Sequence, residues 1–222
     1  QATSAGMTAA ELAGFLRAAG AEVTTYVPHR LVEGYGLNVA AVEKLAADGV
    51  RLLVTLDCGI TAAAEVRAAT ALGLDAVVVD HHTVPVELPA AAAILNPHQA
   101  GCGYPSKDFA AVGVTFALAM ALRRALRERG RSGAARPEPN LRDALDLVAL
   151  GTIADVVPLV GANRILVRWG LEALARSRRP GLRALKKVAG MIEGAPVTAG
   201  QVGFRLGPRI NAAGRLDDAS RG

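Results

Sequence analysis

Leu74-Asp75-Ala76-Val77-Val78-Val79 runs straight into Asp80-His81-His82, and this junction decides the fold. Five of the first six residues are apolar, the composition of a strand buried on both faces of a parallel sheet. Leu52-Leu53-Val54-Thr55-Leu56 is a second such run, and it too ends in an acid, Asp57-Cys58-Gly59-Ile60. Both are too short for independent helices and rich in residues that suit a pleated surface. Residues 61–72 between them are alanine-rich and carry Glu65 and Arg67, which predicts a helix. Strand, helix and strand then form a right-handed crossover that leaves the strands parallel. Ligands of open α/β sheets bind outside the carboxyl ends of the strands, so Asp57, Asp80, His81 and His82 are expected at one edge. A further carboxylate, Asp155, lies in Gly151-Thr152-Ile153-Ala154-Asp155-Val156-Val157-Pro158, after a helix-like apolar stretch at 141–150. Each residue alone has an ordinary explanation. Asp57 and Asp155 would serve as helix N-caps, and His81 as a satisfied core histidine. Their joint arrival at the sheet edge favours a site.

Working outward, Thr8 and Glu11 have capping-box spacing ahead of Leu12, Phe15 and Leu16, and Gly20 stops that helix. Residues 21–27 read as a strand, 38–48 as a helix, 91–95 as a short strand and 109–129 as a long helix. Helices dominate after a break at 137–140, and 130–139 is the one linker-like stretch. The fold class is α/β: an open, mostly parallel sheet with helices on both faces and a helical C-terminal part. One domain is expected over 1–222, with its sheet portion in 1–130 and its helical portion in 140–222. Nothing strand-like precedes the first helix, so the chain reads as lacking a strand that a doubly wound sheet would supply there.

Composition excludes some classes. A hydrophobic content of 51% over 222 residues argues for a packed core rather than disorder. No uninterrupted apolar run approaches the roughly 20 residues of a membrane helix, and the first residues lack a signal-peptide pattern. The two cysteines, Cys58 and Cys102, form no CxxC pair and read as packed thiols in a reducing compartment. A net charge of +5 favours a polyanionic partner, though weakly. Arg123, Arg124, Arg127, Arg129 and Arg131 form one basic cluster. Arg176, Arg178, Arg179, Arg183, Lys186 and Lys187 form another. Both read as solvated faces before phosphate tracks. Aromatic residues make up only 4%, which argues against base stacking as the main mode of nucleic-acid binding. His29 and His98 have no supporting neighbours and read as structural or surface residues.

Val54-Thr55-Leu56-Asp57-Cys58-Gly59-Ile60, Val79-Asp80-His81-His82, Ile94-Leu95-Asn96-Pro97 and Gly151-Thr152-Ile153-Ala154-Asp155 resemble successive motifs of the DHH phosphoesterases. Three further stretches narrow the resemblance to the branch that digests single-stranded DNA. They are the run from Tyr26 to Leu37, Cys102-Gly103-Tyr104-Pro105-Ser106-Lys107-Asp108 with Val112-Gly113-Val114, and Gly207-Pro208-Arg209-Ile210-Asn211-Ala212-Ala213-Gly214-Arg215. The resemblance implies a two-metal phosphodiesterase using Mn²⁺ or Mg²⁺, a 5′→3′ exonuclease in recombination and repair. By motif, Asp57 would bridge both metals, His81 and Asp155 would be terminal ligands, and Asp80 would orient the histidines. His82 would sit near the scissile phosphate. The residue types suit this: carboxylates neutralise divalent charge, and imidazole shifts preference towards Mn²⁺. Arg205, Arg209, Asn211 and Arg215 would contact nucleic acid, with Ser106 and Lys107 approaching it; a helix cap and packed turn with solvated arginines is the other reading of that stretch. The implied partners are single-stranded DNA, a single-strand-binding protein and a helicase, with no membrane and a cytoplasmic location.

The same resemblance marks a departure. The family's first motif is an Asp-x-Asp-x-Asp-Gly loop, and Gln1, Thr3 and Ala5 stand where its aspartates belong. None offers a charged oxygen, so at least one metal should be held poorly. The family's DHH-associated and single-strand-binding domains would follow beyond Gly222. A catalytically silent scaffold is therefore a second reading. A DHH enzyme of small substrates is a third, disfavoured by the 208–215 segment.

Overall fold

The computed structural model describes residues 2–28, 36–131 and 138–216. Its helices longer than one turn are α1 (Ala2–Ala18), α2 (Val39–Ala47), α3 (Ala63–Ala71), α4 (Ala111–Glu128), α5 (Leu145–Ala154), α6 (Gly161–Ala175), α7 (Pro180–Val188) and α8 (Gly207–Leu216). A 3₁₀ turn, Leu141–Ala144, leads into α5, and a π-helical segment, Val202–Leu206, leads into α8. The strands are β1 (Leu52–Leu56), β2 (Asp75–Val79) and β3 (Ala93–Leu95), parallel and in that spatial order.

Alternation along β2 places a helical layer on each side of the sheet. Ala76 and Val78 pack against Val66 of α3, whereas Val77 and Val79 group with Phe109, Val114 of α4 and Leu166 of α6. Leu53 of β1 shares the α3 side with Val42 and Leu45 of α2. The expected α/β architecture is therefore present. Leu166 carries the C-terminal helices onto the sheet, and Phe15 of α1 shares a cluster with Phe116 of α4 and Val148 of α5. Helices α5 and α6 meet through Gly170, where an added Cβ would lie 2.4 Å from the Leu145 carbonyl oxygen. The chain's single tryptophan, Trp169, sits beside that contact on the outer face of α6, 57% exposed, with the Arg168 guanidinium 5.9 Å from its ring centroid.

Three expectations need correction. Residues 21–27 are not a strand. A cavity of about 750 Å³, lined by this stretch, α1 and β1, separates them from the edge they would pair with, and the Arg17 guanidinium donates to the Val23 carbonyl at 2.8 Å. The stretch after Phe204 is continuous helix rather than the cap and packed turn of its other reading, although Arg205 and Arg209 are exposed as that reading had them. The ring of Pro208 would strike the Phe204 carbonyl in a regular α-helix. The preceding turn widens instead, so that the Gly207 N–H reaches back to the Val202 carbonyl. The second basic cluster is not wholly solvated. Lys186 is 5% exposed and donates to the carbonyls of Leu174 and Ala175 at the end of α6, and Arg179 pairs with buried Asp146 at 3.2 Å. The first cluster is the solvated face expected, with Arg124 on Glu128 and Arg127 on Glu138.

Candidate metal centre

Register carries the two strand ends into one place. Beyond the last β1–β2 pair, Leu56 with Val79, the Asp57 N–H still donates to the Val79 carbonyl at 3.0 Å. The Asp80 N–H does the same to Leu95 of β3, also at 3.0 Å. Asp57 then turns into the left-handed region, φ 62°, which Asp tolerates better than most residues. Gly59 follows at φ 104°, where a Cβ would meet Thr55 Oγ1 at 2.4 Å, so only glycine lets the chain fold back over the strand end.

Asp80 is the hub of the turn. Its Oδ1 accepts from the N–H of His81 at 2.8 Å and of His82 at 3.2 Å, and lies 2.6 Å from His82 Nδ1; Oδ2 accepts from the Ile60 N–H at 3.0 Å. Burial alone would raise this carboxyl, but the His82 ring and the backbone donors outweigh it and hold its pKa below the usual value. The Asp80 hydrogen bond raises the His82 pKa in turn, partly opposed by burial. Asp80 occupies Nδ1, so a ligand of His82 would meet the other ring nitrogen, Nε2.

His81 joins the carboxylates. Its Nε2 lies 3.3 Å from Asp57 Oδ1 and 3.2 Å from Asp155 Oδ2, with side-chain exposures of 15% for His81, 0% for Asp57 and 9% for Asp155. Asp155 comes from the C-cap of α5, its N–H bonded to the Gly151 carbonyl. Neither Asp57 nor Asp155 is an N-cap: Ala62 fills that position on α3, and Asp155 stands at the opposite helix end. A carboxylate there sits in the negative end of the helix dipole, which calls for a cation. Burial and then Asp57 push the Asp155 pKa up, although His81 offsets part of this. Burial pulls the His81 pKa down, but the Asp57 carboxylate beside Nε2 and the charge of Asp155 leave it raised. Positive charge is thus favoured between two acids.

The donor set fits a divalent ion. His81 Nε2 and Asp155 Oδ2 are buried without a hydrogen-bond partner, and each faces the other. Asp57, His81 and His82 each bring a ligand atom within 4.8 Å of the others'. Cys58 is no nucleophile, because burial, followed by the charges of Asp80 and Asp57, pushes its thiol up to about 12.

Two features escaped the sequence reading. Asn96 is buried at the end of β3, donates from Nδ2 to the His82 carbonyl at 2.9 Å, and accepts the His98 N–H at 2.8 Å. It fixes the carbonyl of the second histidine, and its place in the Ile94-to-Pro97 motif was the available signal. Val156, directly after Asp155, holds φ 59° while 86% exposed, a strained conformation for a β-branched residue. No sequence period reports such a dihedral.

The expected nucleic-acid contacts are dispersed. Lys107 donates from Nζ to the carbonyls of Pro97 at 2.8 Å and Cys102 at 2.7 Å, so its ammonium first straps its own loop. Ser106 is half-buried on that loop. Arg205 and Arg209 are exposed, with Arg209 donating to the Arg205 carbonyl at 2.6 Å, and Asn211 is half-buried on α8. Arg215 is on α8, and its side chain lies outside the described part. Gln1, His29 and the rest of residues 29–35 in the Tyr26-to-Leu37 run are outside the described residues. Thr3 and Ala5 fall within α1. His98 is exposed, as expected.

An open parallel sheet with acid and imidazole groups at its carboxyl edge, joined by a carboxylate from a helix end, is the arrangement of α/β domains that bind ligands beyond the carboxyl ends of their strands. The profile of the DHH family, N-terminal domain, matches residues 4–152. The chain belongs to the DHH family. It is 51% identical over 207 residues to the single-stranded-DNA-specific exonuclease RecJ of Dickeya dadantii, covering 91% of this chain and 35% of that protein. Against RecJ of Escherichia coli it is 48% identical, covering 88% and 34%. The crystal structure of exonuclease RecJ bound to manganese superposes with a TM-score of 0.80 at 36% identity, covering 100% of this chain and 52% of that one. RecJ of Thermus thermophilus in complex with Mn²⁺ gives 0.77 at 34%, covering 98% and 30%. The chain thus spans about a third of the length of the curated relatives it matches.

Proposed function

We propose that this chain is the metal-holding part of a 5′→3′ exonuclease for single-stranded DNA that works through two divalent ions, Mn²⁺ or Mg²⁺. The observation that carries the proposal is His81 Nε2 standing 3.3 Å from Asp57 and 3.2 Å from Asp155, three groups brought together from two strand ends and a helix end. The relatives' names supply the substrate, and the manganese in their structures supplies the ion.

Asp57, His81 and Asp155 would hold the metal, with Asp57 central. Bound there, the ions would supply Lewis acidity at the phosphate and would lower the pKa of a water. Asp80 keeps His82 in one orientation and favours its protonated form, so His82 offers Nε2–H to a phosphate or leaving oxygen. Asn96 holds the His82 backbone still. Arg205, Arg209, Asn211 and Arg215, with Ser106 and Lys107 more remotely, would follow the strand's phosphates. A single-strand-binding protein and a helicase are the partners we propose, in the cytoplasm. Among the described residues no helix is long and apolar enough to cross a membrane.

Thr3 and Ala5 on α1 offer no carboxylate, which favours a second reading in which one metal is missing and the domain binds without cutting. Calorimetric titration with Mn²⁺, paired with digestion of end-labelled single-stranded DNA, separates the two. Two tight sites with digestion support the enzyme, and one weak site without digestion supports the silent form. No site at all would overturn both.

A further inference from the structure

Phe204 is a large apolar side chain left 86% exposed, in a chain with only four phenylalanines. It lies on the widened turn, and that turn is pressed against the helix bearing Asp155. A Cβ on Gly203 would come 3.7 Å from Ile153, and one on Gly207 3.8 Å from the Cβ of Ala154. Phe204 is therefore one residue from a contact that is itself one or two residues from the ligand. Around this helix Val202, Leu206 and Gly207 are buried, whereas Phe204, Arg205, Pro208, Arg209 and Ala212 are exposed. The spacing makes two adjoining ridges on one face: Phe204 with Pro208, apolar, and Arg205 with Arg209, cationic. Among the described residues neither arginine has a carboxylate within ion-pair reach. π-Helical widening of this kind recurs at functional sites.

We infer that this face is a base-stacking subsite: a nucleobase of the single strand lies on Phe204 and Pro208 while Arg205 and Arg209 take the neighbouring phosphates. An aromatic face accepts any base, and a parallel cationic row matches the alternation of base and phosphate along an unpaired strand. The inference rests on the single-strand reading above and adds to it a contact to the base.

Fluorescence anisotropy with oligothymidylate and with an abasic strand of equal length, in Mn²⁺, tests it. Phe204→Ala should weaken oligothymidylate binding by about tenfold and leave abasic binding unchanged. Phe204→Trp should restore affinity and show quenching beyond that of Trp169 in the unaltered chain. Arg209→Ala should weaken both strands alike and flatten their salt dependence. Equal loss on both strands, no loss on either, or a lowered melting point for Phe204→Ala would overturn the subsite. In those cases the unaltered chain still binds single strands and the broader reading survives; if the unaltered chain binds neither strand, both fall.

Discussion

At Asp57 the backbone and the charge make separate demands. The left-handed φ of 62° suits Asp or Asn, while cation binding needs the ionised form. Asp57→Asn should thus keep the melting temperature nearly unchanged and reduce Mn²⁺ affinity at least tenfold by calorimetry. Unchanged affinity would remove Asp57 from the centre. Val156 poses the opposite case, since its side chain is exposed and its φ of 59° is strained. Val156→Asn should raise stability by about 1 kcal/mol in denaturant unfolding, because Asn adopts that region at lower cost. The acids and histidines were legible because each closes an apolar run, and a sheet gathers such ends. Asn96 and Val156 were not, since their roles lie in a hydrogen bond across 14 residues and in a dihedral angle.

Elements were legible where a single segment carries its own period. The helix of 38–48 and the strands at 52–56 and 74–79 came out within a residue or so. Residues 21–27 failed because alternation needs a neighbouring strand, and here a cavity takes the neighbour's place. Glycine shows the same dependence on surroundings. On α6, Gly170→Ala would force its Cβ to 2.4 Å from the Leu145 oxygen and 2.5 Å from the Ala149 Cβ, and should cost about 2–3 kcal/mol. On α7, Gly181→Ala meets nothing within 4 Å and should stabilise the protein by about 0.5–1 kcal/mol. Paired urea titrations of the two variants would check the contrast, and equal effects would refute this account of the α5–α6 contact.

For the molecule as a whole, the class and the two helical layers followed from pattern, but the shared core did not, because it depends on which helix faces which. Glu11 illustrates the gap. Its capping-box spacing with Thr8 predicted a helix terminus, yet α1 is already under way and the carboxyl is 3% exposed, with neither oxygen hydrogen-bonded. Burial raises its pKa well above the ordinary value. The folded chain therefore keeps this proton where the unfolded chain releases it, so stability falls as pH rises from the ordinary carboxyl range through the folded pKa. Glu11→Gln should abolish that fall and melt higher than the unaltered protein at neutral pH, while matching it in acid. Thermal melts across pH would show this, and a parallel decline in both proteins would refute it.

Trp169 also governs how such melts can be observed. An indole that already faces water in the native state has little further to travel when the chain opens, so ultraviolet emission would report unfolding feebly. Circular dichroism, which sums over the many helical peptide groups, is the signal that will follow the transition.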